Sequence, residues 1–102
     1  METLTNDYKL ELLNALSDLD IYNWEFEHQL EDNKLTYSKL TKVIETENLN
    51  ISITFEETAI WSSYDYYEVD EFDIIDLEVV CENGVVDTHH LSNSELLKYI
   101  KY

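Results

Sequence analysis

The chain has 102 residues, 44% of them apolar and 13% aromatic, enough apolar surface to offset the entropy of folding; this excludes an intrinsically disordered acidic tail and predicts one domain over residues 1–102. Twenty-three Asp and Glu against six Lys and no Arg leave a net charge of −17, which argues against direct binding to nucleic acid, where affinity comes largely from Lys and Arg displacing counterions, and against anionic membrane surfaces. The absence of a long apolar run and of a basic, apolar leader argues against membrane insertion and secretion, and the lone Cys81 fits a reducing cytoplasm.

The cations are Lys9, Lys34, Lys39, Lys42, Lys98 and Lys101, so residues 43–97 carry fourteen carboxylates and no positive side chain. With no proline and one glycine, Gly84, the chain has no linker-like segment and no Gly-rich phosphate loop.

From Asn6 to Leu19, Leu12, Leu13, Leu16 and Leu19 recur with Tyr8 and Ala15 at helical spacing, and Thr5 or Asn6 can cap the start; this predicts an amphipathic helix. Tyr22, Trp24, Phe26, His28 and Leu30 alternate with polar residues, the period of a half-buried strand, and Glu31–Lys34 supplies a turn. Leu35–Glu45 is read as a strand, although Leu40, Val43 and Ile44 would also share a helical face. Leu49, Ile51, Ile53 and Phe55 alternate cleanly with polar residues in a strand that can continue to Trp61.

Ser62–Glu71, polar and tyrosine-rich, is expected to be a long loop or an extended hairpin tip. After it the parity breaks: Phe72 and Ile74 share one phase, and Ile75, Leu77 and Val79 the other. A bulge near Ile74 and Ile75 would turn all five to the core and leave Asp73, Asp76 and Glu78 in water. Asn83-Gly84 between valine-rich runs predicts a hairpin turn. Ser92 and Glu95 have capping-box spacing for a short terminal helix through Leu96, Leu97, Tyr99 and Ile100, with Lys98 and Lys101 near its negative end. The fold class expected is α+β: an antiparallel sheet of about four strands, an N-terminal amphipathic helix and a short C-terminal helix.

No catalytic motif emerges. Paired carboxylates alone do not make an acid-base site, His89 and His90 would point to opposite faces of an extended chain, and His28 reads as a structural histidine. Cys81 has no local partner to activate its thiol, and Asp65–Asp70 lacks the spacing and the glycine of a calcium loop. The chain is read as a non-enzyme that needs no cofactor and no metal.

What remains is the interleaving of phenols and carboxylates in Tyr64, Asp65, Tyr66, Tyr67, Glu68, Asp70, Glu71 and Asp73, extended by Asp76 and Glu78. Aromatic residues of this kind are favoured at protein interfaces, and these ten lie within the cation-free stretch, so they are the expected partner-binding residues. In length, net charge and the Asp/Glu/Tyr run from Tyr64 to Asp76, the chain resembles the small acidic proteins of phages and mobile elements that imitate DNA, the anti-restriction and anti-CRISPR class. The resemblance implies an inhibitor acting in the host cytoplasm by blocking the basic groove of a nucleic-acid-binding protein, a defence nuclease or a CRISPR effector. The alternative is an acidic adaptor or structural protein, a homodimer that buries the Trp24 and Trp61 side through an edge strand.

Overall fold

The computed structural model describes residues 1–29, 34–62 and 66–101. The fold is α+β: helix α1 (Asn6–Ser17), a four-stranded antiparallel sheet in the order β1 (Leu35–Glu45), β2 (Leu49–Ser62), β3 (Tyr66–Cys81), β4 (Gly84–Val85), and helix α2 (Asn93–Leu97). None of the described helices is long and apolar enough to cross a membrane.

The Thr5 hydroxyl accepts the Tyr8 N–H at 3.1 Å and starts α1. Leu12, Ala15 and Leu16 then fall on its buried face and join one core with Leu49, Ile51, Ile53 and Phe55 of β2, these last four no more than 3% exposed. Burying one such side chain contributes about 2 kcal/mol, so this seam dominates the stability of the helix-to-sheet contact. Ser92 caps α2 by accepting the Glu95 N–H at 3.2 Å, and Leu96 closes the same core.

β2 and β3 have 14 and 16 residues, close to 50 Å of chain at about 3.3 Å per residue, and this hairpin sets the 51 Å long axis. β2 lies centrally and pairs in register with β1 from Glu45↔Asn50 to Leu35↔Ile60. β4 pairs with β3 only at Val80 and Cys81. The helices and the segment after α1 cover one face of the sheet; the other face has no covering layer among the described residues.

Three expected elements need correction, the first being the terminal helix, which stops at Leu97 short of Tyr99 and Ile100. The segment Tyr22–Gln29 is not a strand. The Glu25 N–H returns to the Tyr22 carbonyl at 3.0 Å and Glu25 Oε2 accepts the Tyr22 N–H at 3.0 Å, so a 3-10 turn over Asn23–Glu25 takes the groups a ladder would need. The alternation there has another origin, because Tyr22 and Trp24 are exposed and stack on each other at 5.6 Å while Phe26 is buried; Leu30 lies outside the described residues. The hairpin turn is also one residue earlier than the Asn-Gly signal implied. Cys81 pairs with Gly84, leaving Glu82 and Asn83 as the loop, and Gly84 takes φ +127°, a backbone conformation that strains other residues.

Candidate functional site: an acidic row on the open face of the sheet

Of the two readings of Ser62–Glu71, a long loop or an extended hairpin tip, the second fits: β2 runs to Ser62, and β3 begins at Tyr66 and pairs with β2 from there; residues 63–65, including Tyr64 and Asp65, lie outside the described residues. Strand pairing fixes which side chains share a face. Phe55, whose side chain is buried against the helix layer, stands opposite Ile74, so Ser52, Thr54, Glu56, Thr58 and Ile60 face away from that layer. Opposite these five stand Glu78, Asp76, Asp73, Glu71 and Glu68 in turn. Every one of five successive outward positions on β3 is therefore a carboxylate, and all five are exposed.

Two bulges produce this phase. Thr54 pairs with Asp76 but Phe55 with Ile74, leaving Ile75 out of the ladder, and Thr58 pairs with Glu71 but Ala59 with Val69, leaving Asp70 out. Without the two bulges, strict alternation from Glu78 would turn Ile74 and Phe72 to water. The bulge at Ile75 is where the parity break placed it, but Ile75 is 45% exposed, so four of the five apolar residues, not all five, point inward. The bulges leave backbone groups to satisfy, and side chains do so. Thr58 Oγ1 accepts the Glu71 N–H at 2.9 Å, Asp73 Oδ1 accepts the Ile74 N–H at 2.8 Å, and Asn93 Nδ2 donates to the Ile74 carbonyl at 2.8 Å.

At about 6.6 Å per rung the row runs for about 26 Å along the strand. Glu56 on β2 stands beside Asp73 on the same face, and its other neighbour is Lys39 of β1. On the far side β4 pairs with Val80 and Cys81, beyond the row, while the Val86 N–H reaches the Val79 carbonyl and Asn93 Nδ2 the Ile74 carbonyl, each at 2.8 Å; among the described residues no strand pairs along the row itself on that side. Of the ten expected partner-binding residues, the structure aligns Glu68, Glu71, Asp73, Asp76 and Glu78 and places exposed Asp70 at a bulge beside them. Tyr66 and Tyr67 open β3 opposite Ser62 and Trp61. Set against protein-family models, curated proteins and solved structures, the chain matches none.

Glu11 and Glu25, away from the row, have partners of their own. Glu11 on α1 accepts from the Thr46 hydroxyl, from Asn48 N at 3.0 Å and from Asn48 Nδ2 at 2.7 Å. These bonds, Thr46 first, hold its carboxyl below the ordinary carboxylate range and fasten α1 to the β1–β2 turn. Glu25 is held low by the Lys42 ammonium and then by the Tyr22 N–H. The Tyr8 phenol is pushed up chiefly by the neighbouring Cys81 thiol, which is buried, as expected of a small apolar side chain.

Sequence reading missed a buried polar network. His28 Nε2 lies 2.8 Å from Glu57 Oε1, with the two side chains 1% and 0% exposed, and His28 Nδ1 lies 2.9 Å from Thr36 Oγ1. The order carboxylate, imidazole, hydroxyl is that of a hydrolytic triad, but Thr36 Oγ1 also donates to the Ala59 carbonyl at 3.2 Å. With its proton engaged there, the hydroxyl does not donate to the imidazole, the bond by which a histidine base activates a nucleophile. The network pins the segment after α1 to the sheet. His89 and His90 are exposed, and their rings meet edge to face at 5.7 Å instead of pointing apart, because the chain turns there, the His89 N–H reaching Asp87 Oδ1 at 2.9 Å.

Proposed function

We propose that the protein is a non-catalytic acidic inhibitor whose open sheet face seats in the basic nucleic-acid-binding groove of a host protein, a defence nuclease or CRISPR effector in the cytoplasm, with the β3 carboxylates standing in for phosphates. The observation that carries this reading is the run of five consecutive outward carboxylates on β3, held in phase by two bulges. One row supplies a charge about every 6.6 Å, half the axial density of a single strand of duplex DNA; Glu56 adds to it at the middle rung and Asp70 between Glu68 and Glu71. Side chains held in fixed register repel one another, and a groove lined with Lys and Arg relieves that repulsion on docking. Association is then fast and salt-sensitive.

The experiment is displacement of labelled DNA or guide RNA from a panel of restriction nucleases and CRISPR effectors by the purified protein. Displacement that weakens as salt rises supports the reading; a panel in which no nucleic acid is displaced contradicts it.

A further inference from the structure

The open edge of β1 carries a second feature, independent of the acidic row. All eleven residues of β1 pair with β2 without a register shift, and among the described residues no backbone hydrogen bond reaches the strand from its other side. Proteins blunt such an edge with proline, bulges, brevity or charged side chains, lysine above all. β1 has no proline and no bulge and is 11 residues long, whereas β3 has two bulges; its charged residues are Lys39, Lys42 and Glu45, of which Lys42 is engaged by Glu25. On its outward face Leu35, Tyr37 and Val43 are 42%, 60% and 71% exposed. We infer that two copies of the chain pair antiparallel through β1, centred on Leu40, to form one continuous eight-stranded sheet.

Two observations select a second copy as the occupant. The first is self-complementarity. A two-fold axis at Leu40 sets Tyr37 of each copy opposite Val43 of the other, an aromatic and β-branched pair of the kind that stabilises antiparallel sheets, and sets Lys39 opposite Thr41 instead of another lysine. The second is charge. β1 carries Lys39 and Lys42 against Glu45 alone, while β3 carries six carboxylates and no cation. Of the two long strands at the sides of the sheet, β1 is the one along which two chains of net charge −17 meet without facing rows of carboxylates. The two β3 rows stay five strand spacings apart, about 24 Å, roughly three Debye lengths at physiological salt, so their repulsion is screened. The axis stands perpendicular to the sheet, so both acidic rows lie on the same open face.

Sedimentation velocity over a concentration series tests this with no nucleic-acid-binding protein present, so its outcome is separate from that of the displacement assay. The wild-type chain is expected to sediment as a dimer, and Tyr37→Glu/Val43→Glu as a monomer with an unchanged circular dichroism spectrum. A wild-type monomer throughout, or a dimer that survives both substitutions, overturns the inference. Should that variant fail to fold, cysteines decide. Tyr37→Cys/Val43→Cys is expected to oxidise to a dimer stable in SDS and released by thiol, because directly opposed strand residues lie within disulfide reach. Lys39→Cys/Val43→Cys, one rung out of register, is expected to stay monomeric in SDS, and the reverse pattern contradicts the register.

Discussion

Asp73 and Asp76 occupy neighbouring outward rungs of β3 although three positions separate them in sequence, because Ile75 is lifted out of the ladder between them. The bulge at Asp70 does the same for Glu68 and Glu71. Acidic residues at intervals of three, two, three and two thus become a row with one residue per rung, while Val69, Phe72, Ile74, Leu77 and Val79 keep their places on the other face. The bulges serve burial and charge alignment together.

The two adjacent isoleucines at this bulge should respond very differently to truncation. Ile74 is 2% exposed, and Ile74→Ala is expected to cost about 3 kcal/mol through lost burial and the cavity it leaves. Ile75 lies outside the ladder and is partly in water, so Ile75→Ser should change stability by no more than about 0.5 kcal/mol. Urea denaturation of both variants checks the assignment of the bulged residue, and equal losses would place it elsewhere.

The row should be a source of strain that salt removes. Like charges about 6.6 Å apart repel by about 0.6 kcal/mol per neighbouring pair in a water-like dielectric. The variant Glu71→Gln/Asp73→Asn/Asp76→Asn keeps the acceptor that Asp73 offers to Ile74 and is expected to melt higher than wild type at low ionic strength. The gain should vanish near 1 M salt, where the screening length falls to about 3 Å.

Removing His28 leaves buried Glu57 without the imidazole beside it, and His28→Leu is expected to destabilise by about 3 kcal/mol. Replacing both residues, His28→Leu/Glu57→Leu, should cost less than the sum of the two single changes, since both single changes lose the same buried contact. Additive losses in equilibrium denaturation would show that the two side chains do not depend on each other.

Acid should unfasten α1 from the β1–β2 turn. The Glu11 carboxyl is held below its ordinary range in the folded chain, so its stabilising contribution is complete above the unfolded-state pKa and is lost as pH falls through the folded-state value. Urea midpoints of wild type and Glu11→Gln, followed downward from neutral pH, should differ at pH 6 and converge once the wild-type carboxyl is protonated. A gap that stays constant to the lowest pH would show that titration of Glu11 is not what couples the helix to the turn.

Local pattern carried the regular elements. Thr5 with the Leu12–Leu16 spacing marked α1, the alternation of Leu49, Ile51, Ile53 and Phe55 marked β2, and the broken parity between Phe72 and Leu77 located one bulge. The second bulge was hidden because the tyrosines and carboxylates around Asp70 offer no contrast between an inner and an outer phase. Aromatic alternation at Tyr22–Phe26 mimicked a strand because a solvent-side stack and a buried ring gave the same period. The His28–Glu57–Thr36 network joins residues 29 and 8 positions apart, beyond any local signal. Its one clue was Glu57 standing on the inward phase of β2, between Phe55 and Ala59, where a carboxylate needs a partner.

On the proposed reading it is the arrangement of the β3 carboxylates, not total charge, that engages a basic groove. Two variants of equal net charge separate these in the DNA and guide-RNA displacement assay: Glu71→Lys/Asp73→Lys/Asp76→Lys on the row, and Asp7→Lys/Asp18→Lys/Asp20→Lys, exposed positions on and just after α1. Loss of displacement by about a hundredfold or more in the row variant, with the second variant within a fewfold of wild type, is the expected result, since three lost charge pairs at about 1 kcal/mol each reach that size. Equal losses in the two variants would contradict it.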